Sequence, residues 1–532
     1  MPLRHRLSAG LLAAITLILP LGAPAHERDG ASVPPSLGRL VFPTSTHSRP
    51  AQRAFVEGML WLHLFEYEHA AESFRKAQQL DKNFVMAYWG EAMTQTHSLW
   101  NQDKPDAARA VLQKLAPTPK ARAAKARTPR ERAWLDAAEK MFGPGTLRER
   151  DTAYLAAMAA LAKAYPRDDE AQLFHALALM GVTRGERDLP NYLKGGEIAR
   201  RVFRHNPLHP GAAHYWIHAL DDPDHADGAL EAAQALSKIA PGAGHGQHMT
   251  SHIFIALGRW QDVIDANESA IAVVAAERAA KKIPMVRCGH YSEWLQYAYY
   301  QIGREQDGNR MLRQCFDDRA AALAWYQSHA GEPGAGTVPL ARRKRYADES
   351  LAGMRGTALI ETELDLAGNL ALPVDLADMQ RAAGWDHFAR GFTAARSGDA
   401  ATGRAALVAL EAVMQLPPDE GETPAGAVYL KVMALMLQAA LAQADGRSDE
   451  AIALATDAAQ RYEAVPFDYG PPAPVKPPRE FAGELLLQAG KPKEALAEFE
   501  RALKTAPQRR LSLQGRQRAM AAAGATAMAL PK

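Results

Sequence analysis

The pattern His-x-x-x-His occurs twice in this chain, 34 residues apart: His214-Tyr-Trp-Ile-His218 and His248-Met-Thr-Ser-His252. Residues i and i+4 share one face of an α-helix, so each copy sets two imidazoles side by side. A period of this length belongs to a helical hairpin that stacks on its own copies. The chain is thereby constrained to successive antiparallel hairpins, with equivalent faces recurring once per unit.

Small and aromatic residues at fixed offsets extend that register. In 51–84, Gly58, Trp61, Tyr67, Ala70, Phe74 and Ala77 fit the tetratricopeptide spacing. In 476–509, Gly483, Leu486, Gly490, Ala495, Phe499, Ala502 and Pro507 fit it more fully. The small residues let two helices approach, the aromatic fills the gap, and proline stops the second helix. Central units run over 210–243 (Ala229, Pro241) and 244–277 (Gly258, Trp260, Ala270), with a third from near Gly289 that turns at Gly303. Pro166 and Pro207 end earlier helices. Segments 377–416 and 426–462 read as further hairpins, and Pro-rich 466–478 leads into the last repeat. The expected fold is all-α, a tetratricopeptide-repeat helical-hairpin superhelix, or α-solenoid. The expected organisation is a leader over 1–25, a lead segment over 26–50, an array over 51–325, a linker over 326–345 around Gly331, Pro333, Gly334 and Gly336, and a second array over 346–532. A length of 532 residues exceeds one compact domain but suits an array.

The first 25 residues read as a secretory signal. Arg4 and Arg6 precede the apolar run Ala9 to Leu21, which is too short to anchor in a bilayer, and Ala23-Pro24-Ala25 is a small-x-small cleavage pattern. No cysteine follows the cleavage point, so a lipoprotein anchor is not expected. No later stretch reads as long and apolar enough to span. The expected location is periplasmic or secreted. Cleavage after Ala25 would expose His26, whose amine and imidazole together can clamp copper; equally, any residue can follow a cleavage site. Cys288 and Cys315 fall near each other at the open end of one hairpin. Export permits a bridge between them, and two buried thiols fit as well. The net charge of +2 comes from 62 basic and 60 acidic residues, and no basic stripe is interleaved with aromatics, so nucleic acid is not an expected partner. Arg342-Arg343-Lys344-Arg345 is a short solvated face.

Eight of the 18 histidines lie within 205–252: His205, His209, His214, His218, His225, His245, His248 and His252. Counted from each repeat start, His214 and His218 occupy the groove-facing offsets 5 and 9. His248 and His252 occupy the same offsets one unit later, with His245 at offset 2. In the third unit His290, Glu293, Tyr297 and Tyr300 take the corresponding places, and in the last unit Glu480 and Glu484 do. Neutral imidazoles converging from neighbouring helices suit zinc or copper first, with nickel and iron also accommodated. His214, His218, His248 and His252 are the expected ligands. His245, His290, Glu293, His97, Tyr297, Glu480 and Glu484 are additional ligand or groove candidates. Tyr215 and Met249 stand where a zinc protease of the HExxH type needs glutamate, which disfavours that chemistry. His209-Pro210-Gly211 and Asp221-Asp222-Pro223 read as a helix cap and a helix stop, with the two aspartates as secondary groove candidates; His225 reads as a loop residue.

Several stretches resemble a family of exported bacterial tetratricopeptide proteins whose function is largely undefined. They are Phe65-Glu-Tyr-Glu-His-Ala70, Tyr88-Trp-Gly-Glu-Ala-Met93, His97-Ser-Leu-Trp100, His209-Pro-Gly-Ala-Ala-His214-Tyr-Trp-Ile-His218, Gly244-His-Gly-Gln-His-Met-Thr-Ser-His-Ile-Phe254, and the stretch from Pro478-Arg-Glu480 to Gly490. The resemblance spans most of 38–520, and its specific part is the central histidine motif. Thr250 replaces the family's proline, and Tyr291 with Glu293 departs from its next histidine pair.

Three functions are compatible with these features. The first is an exported scaffold whose concave groove holds a divalent metal and binds a protein, peptide or small ligand. The second is a metalloenzyme, hydrolase or oxidoreductase, in which Glu293, Glu480 or Glu484 serves as acid or base and Tyr297 or Tyr300 positions substrate. The third is a metal-free periplasmic adaptor or chaperone.

Overall fold

Helical hairpins follow one another along this computed structural model, which describes residues 37–100, 102–184, 187–332, 338–362, 372–419, 424–467 and 469–529. The leader and His26 lie outside the described residues. The helices are α1 (Arg49–His63), α2 (Tyr67–Leu80), α3 (Val85–Met93), α4 (Pro105–Leu115), α5 (Pro119–Lys125), α6 (Pro129–Met141), α7 (Leu147–Ala164), α8 (Asp169–Gly181) and α9 (Leu189–His205). The central group is α10 (Pro210–Ala219), α11 (Leu230–Ile239), α12 (Gly244–Ala256), α13 (Trp260–Ala280), α14 (His290–Gln301) and α15 (Glu305–Ser328). The last are α16 (Leu340–Thr362), α17 (Gln380–Arg396), α18 (Ala400–Val413), α19 (Pro424–Ala444), α20 (Ser448–Glu463), α21 (Pro478–Gln488), α22 (Pro492–Thr505) and α23 (Arg510–Ala529). Among the described residues the only strands are β1 (Thr96–His97) and β2 (Gln102–Asp103), which form a small antiparallel ribbon. The fold is the expected all-α, tetratricopeptide-like array of hairpins.

Local chemistry starts the helices. Thr128 and Thr146 each complete a reciprocal capping box with the glutamate three residues on, and Ser48, Asp168 and Asp188 cap α1, α8 and α9. His209 caps α10 with its imidazole, as its place before Pro210 implied. Close packing then depends on missing side chains. A β-carbon on Gly58 would stand 2.7 Å from the Phe74 ring, and one on Gly90 would strike the same ring from the other side. Phe74 fills the space that these two glycines leave, which is how the first hairpin meets α3.

Three details add to the sequence reading. Around the expected linker 326–345, α15 continues to Ser328 and α16 begins at Leu340. One helix among the described residues, Ala425–Ala444, is long and apolar enough to cross a bilayer, with mean hydropathy 1.6. It is a core helix: 72% of that window is buried, packed against α17, α18, α20 and α21. Lys431, Gln438 and Gln443 interrupt the run and mask it in the sequence. The two cysteines, left open above, form the disulfide Cys288–Cys315 and tie the segment before α14 to α15.

The end of the chain returns to the middle. Arg509 is fully buried between α22 and α23 and donates to both oxygens of Glu480, to Glu361 of α16 and to the Tyr297 hydroxyl of α14. Lys476, also buried, pairs with Glu480 and Glu484. Trp260 donates from Nε1 to the Gln508 carbonyl. Burial alone would raise the Glu480 carboxyl, but Arg509 and Lys476 hold it down to about 2.

Replacing Arg509 by Met removes the cation that Glu361 and Glu480 share, leaving Glu361 buried without it and Glu480 with Lys476 alone, at a cost of about 3–5 kcal/mol. The expected outcome is a lower urea midpoint with helical content retained before the transition. Glu480 also makes stability depend on pH. Its folded value lies below the ordinary 4.5, so its contribution is complete above about pH 4.5 and is lost as pH falls toward 2, on the order of 3 kcal/mol in all. Denaturation midpoints measured from pH 5 to pH 2 should show that loss, and a Glu480→Gln variant should show less of it.

Candidate metal centre

Helices α10 and α12 are the first helices of successive hairpins and run beside each other, so the two His-x-x-x-His faces meet. The 34-residue repeat in sequence becomes a lateral repeat in space. His214, His218, His248 and His252 are 0%, 4%, 0% and 2% exposed. They are therefore enclosed rather than lining an open groove. The cover comes from residues far away in the chain. Phe65 packs its ring 4.5 Å from that of His214, Trp100 stands edge-on to His245 at 5.5 Å, Trp294 lies 4.4 Å from His252, and Tyr469 of the Pro-rich segment lies 5.3 Å from His252. Phe65 reaches its position through a left-handed backbone at φ 57°, a conformation costing a non-glycine residue about 1–3 kcal/mol.

The histidines divide into two groups of three. In His214, His218 and His245 one ring nitrogen from each lies within 4.8 Å of the others; the same holds for His248, His252 and His290. Hydrogen bonds to the far nitrogens orient the rings. His214 donates from Nδ1 to the carbonyl of His63 at 2.7 Å. His248 donates from Nδ1 to Asn267 Oδ1 at 2.7 Å, and His252 donates from Nδ1 to Asp221 Oδ2 at 2.5 Å. All three acceptors fix the proton on Nδ1 and leave the lone pair on Nε2. This is the arrangement by which outer partners set the tautomer of a metal-binding histidine. In the first group Nε2 of His214, His218 and His245 is buried and has no hydrogen-bond partner. Burial pushes His214 down to about 3 and holds His218, His245 and His248 well below the usual imidazole range; desolvation by the surrounding rings also lowers His290, which lies at the exposed edge. These rings are neutral near pH 7, the form that binds metal.

A third group, His63, Glu170 and His209, has a different character. His63 and His209 each donate from Nε2 to one Glu170 oxygen, at 2.7 and 3.0 Å. Tyr215 donates to His63 Nδ1, and the Ala212 amide donates to His209 Nδ1. Every polar atom of the two rings is used. Burial would raise Glu170, but the two histidines hold it at about 2. This group is a satisfied polar staple joining α1, α8 and α10. Gly211 allows it, because a β-carbon there would strike the His63 ring.

The remaining predicted residues lie apart from the histidine nest. Glu293 accepts from Ser350 and faces Glu349 and Arg381, and burial raises its carboxyl. Tyr297, Glu480 and Glu484 belong to the Arg509–Lys476 network. Tyr300 donates to Asn309 within its own hairpin. His97 stacks on Tyr67 at 3.7 Å and engages Gln102 and the Thr94 carbonyl through its two nitrogens. Asp222 pairs with Arg187 and His225, whereas Asp221 serves His252. Sequence reasoning missed Asn267, His63 and Phe65. Only Phe65 lay in a stretch quoted for the family resemblance.

A cavity of about 1350 Å³ adjoins the nest. Trp100, Tyr346 and Tyr469 line it. Trp100 and Tyr469 also touch His245 and His252, and Tyr346 accepts the backbone N–H of His290. Aromatic and arginine side chains from both halves of the chain, among them Arg187, Trp385 and Tyr429, complete its wall.

No protein-family profile and no curated protein sequence matches the chain. Solved structures that are similar include the Cut9–Hcn1 hetero-tetramer of the APC/C (12% identity, 90% of this chain and 78% of that chain, TM-score 0.33). Yeast Tom70 is also similar (11% identity, 90% of each chain, TM-score 0.34), as is the tetratricopeptide domain of P58(IPK) (12% identity, 90% and 89%, TM-score 0.22). The fold assignment rests on the hairpins of this chain itself, which form an all-α, tetratricopeptide-like helical array.

Proposed function

We propose that this chain is an exported helical-repeat scaffold that holds a late first-row transition metal in its histidine nest and presents the adjoining cavity to a ligand or protein partner. One observation carries the metal reading: His214, His218 and His245 each bring a ring nitrogen within 4.8 Å of the others, and the buried Nε2 of each has no hydrogen-bond partner. A buried polar atom without a partner costs about 1–3 kcal/mol, and three together ask for a common acceptor of their lone pairs. A cation supplies that. The donor set is nitrogen only, which suits zinc or copper and disfavours magnesium and calcium. Export is supported by the leader-like first 25 residues and by the Cys288–Cys315 bridge, which belongs with oxidising compartments.

A metalloenzyme is the second reading, favoured by the cavity that Trp100 and Tyr469 share with the nest. Three imidazoles leave a fourth position on a tetrahedral ion. In that case catalytic acid–base groups come from the cavity wall, since Glu480 and Glu484 are committed to Arg509 and Lys476.

Elemental analysis of tag-free protein should find stoichiometric zinc or copper. A His214→Ala/His248→Ala variant should lose it while keeping its far-UV helical signal. Unchanged metal content in a folded variant, or no uptake of zinc by chelator-treated wild type, would overturn the reading.

A further inference from the structure

We propose that the six histidines form a two-ion centre, with one ion on His214, His218 and His245 and a second on His248, His252 and His290. The proposal rests on the metal reading above and deepens it. Each group closes at three residues among those described, so the six do not form one ligand set.

The second group carries its own evidence. Asn267 donates from Nδ2 to the Val263 carbonyl at 2.8 Å, which fixes its amide and leaves Oδ1 as the acceptor for His248. Asp221 accepts from His252 in the same way. Both Nδ1 atoms therefore hold protons, so the neutral form of each ring presents its lone pair at Nε2. Those two nitrogens face each other at 3.2 Å. Between neutral rings two lone pairs at that distance repel unless a cation lies against both; a second proton on one ring would make the contact a hydrogen bond, the outcome in which no metal is taken up. Nitrogens bound at ~2.0–2.1 Å to one tetrahedral ion are ~3.3 Å apart, which is the observed separation to within a few tenths of an ångström. His290 closes the group, its ring 4.5 Å from that of His248.

The groups adjoin on two sides. Ring centroids of His218 and His252 are 5.9 Å apart, and those of His245 and His248 are 6.1 Å apart. Asp221 supplies charge compensation. It is 1% exposed, holds His252 through Oδ2, and its Oδ1 has no partner. Two cations beside one buried carboxylate leave net positive charge at the nest. A small oxygen anion bridging the ions, such as hydroxide or a carboxylate, is the class of ligand that this charge selects.

The test uses full-length, chelator-treated protein and copper(II). Wild type should take up two equivalents. Its electron paramagnetic resonance signal should grow through the first equivalent and then broaden or fall in integrated intensity with the second, as neighbouring spins couple. His290→Ala and His245→Ala remove the two most accessible ligands, one per group, and each should bind one equivalent with an uncoupled signal. Saturation of wild type at one equivalent, abolished by His245→Ala or His218→Ala, would overturn the pair and leave the single-metal scaffold standing. Two equivalents with fully additive, unbroadened signals would also overturn it. Uptake of none would overturn both readings. The wild-type titration stands alone if a variant fails to fold.

Discussion

Withdrawal of imidazoles from water sets the terms for the centre of this chain. A buried ring with one satisfied nitrogen still has a second to account for, and here the surroundings satisfy only the outer ones. His63, Asn267 and Asp221 each take an Nδ1 proton, so the lone pairs turn inward by elimination. The packing around them follows from that arrangement. Phe65 accepts an unfavourable backbone to roof one group, and aromatic rings from four parts of the chain cover the central histidines, leaving His290 at the exposed edge. The neighbouring staple of His63, Glu170 and His209 shows the alternative solution with the same residue types. Its carboxylate accepts both protons internally, and nothing is left over.

What could be read from sequence was what is local. Helical hairpins announce themselves through offsets of small and aromatic residues within one repeat, and the two histidine pairs through i,i+4 spacing repeated at one period. His245 and His290 followed from the same offset rule, and the structure brings both to the four central histidines. At the next offsets the rule assumes that one face of each first helix stays free. In α14 that face is occupied: α16 meets Glu293, and Arg509 returns from the chain's end to meet Tyr297. Glu480 and Glu484 are occupied in the same way. Asp221 could be suspected from its place after α10. Asn267 gave no signal, because its role appears only when α13 folds back on α12.

An open solenoid is stabilised by neighbours along the sequence, so each repeat depends on the next. This chain adds contacts that skip over that order. Arg509 reaches Tyr297 and Glu361, Trp260 reaches Gln508, and Tyr469 reaches His252. The resulting array has an interior, with a cavity whose wall is drawn from both halves. Long-range ion pairs also raise cooperativity, since loss of the last hairpin removes partners from the third.

The position of Tyr469 has a consequence for how the molecule is made. A ribosome delivers α10, α12 and α14 well before the Pro-rich segment that seats Tyr469 against His252. During synthesis the histidine faces therefore exist without that part of their cover. The last three helices, arriving afterwards, lock the segment in place through Lys476, Glu480 and Arg509. Direction of growth thus becomes part of the structure: the histidine faces are more open while the chain is incomplete than once Tyr469 is seated against His252.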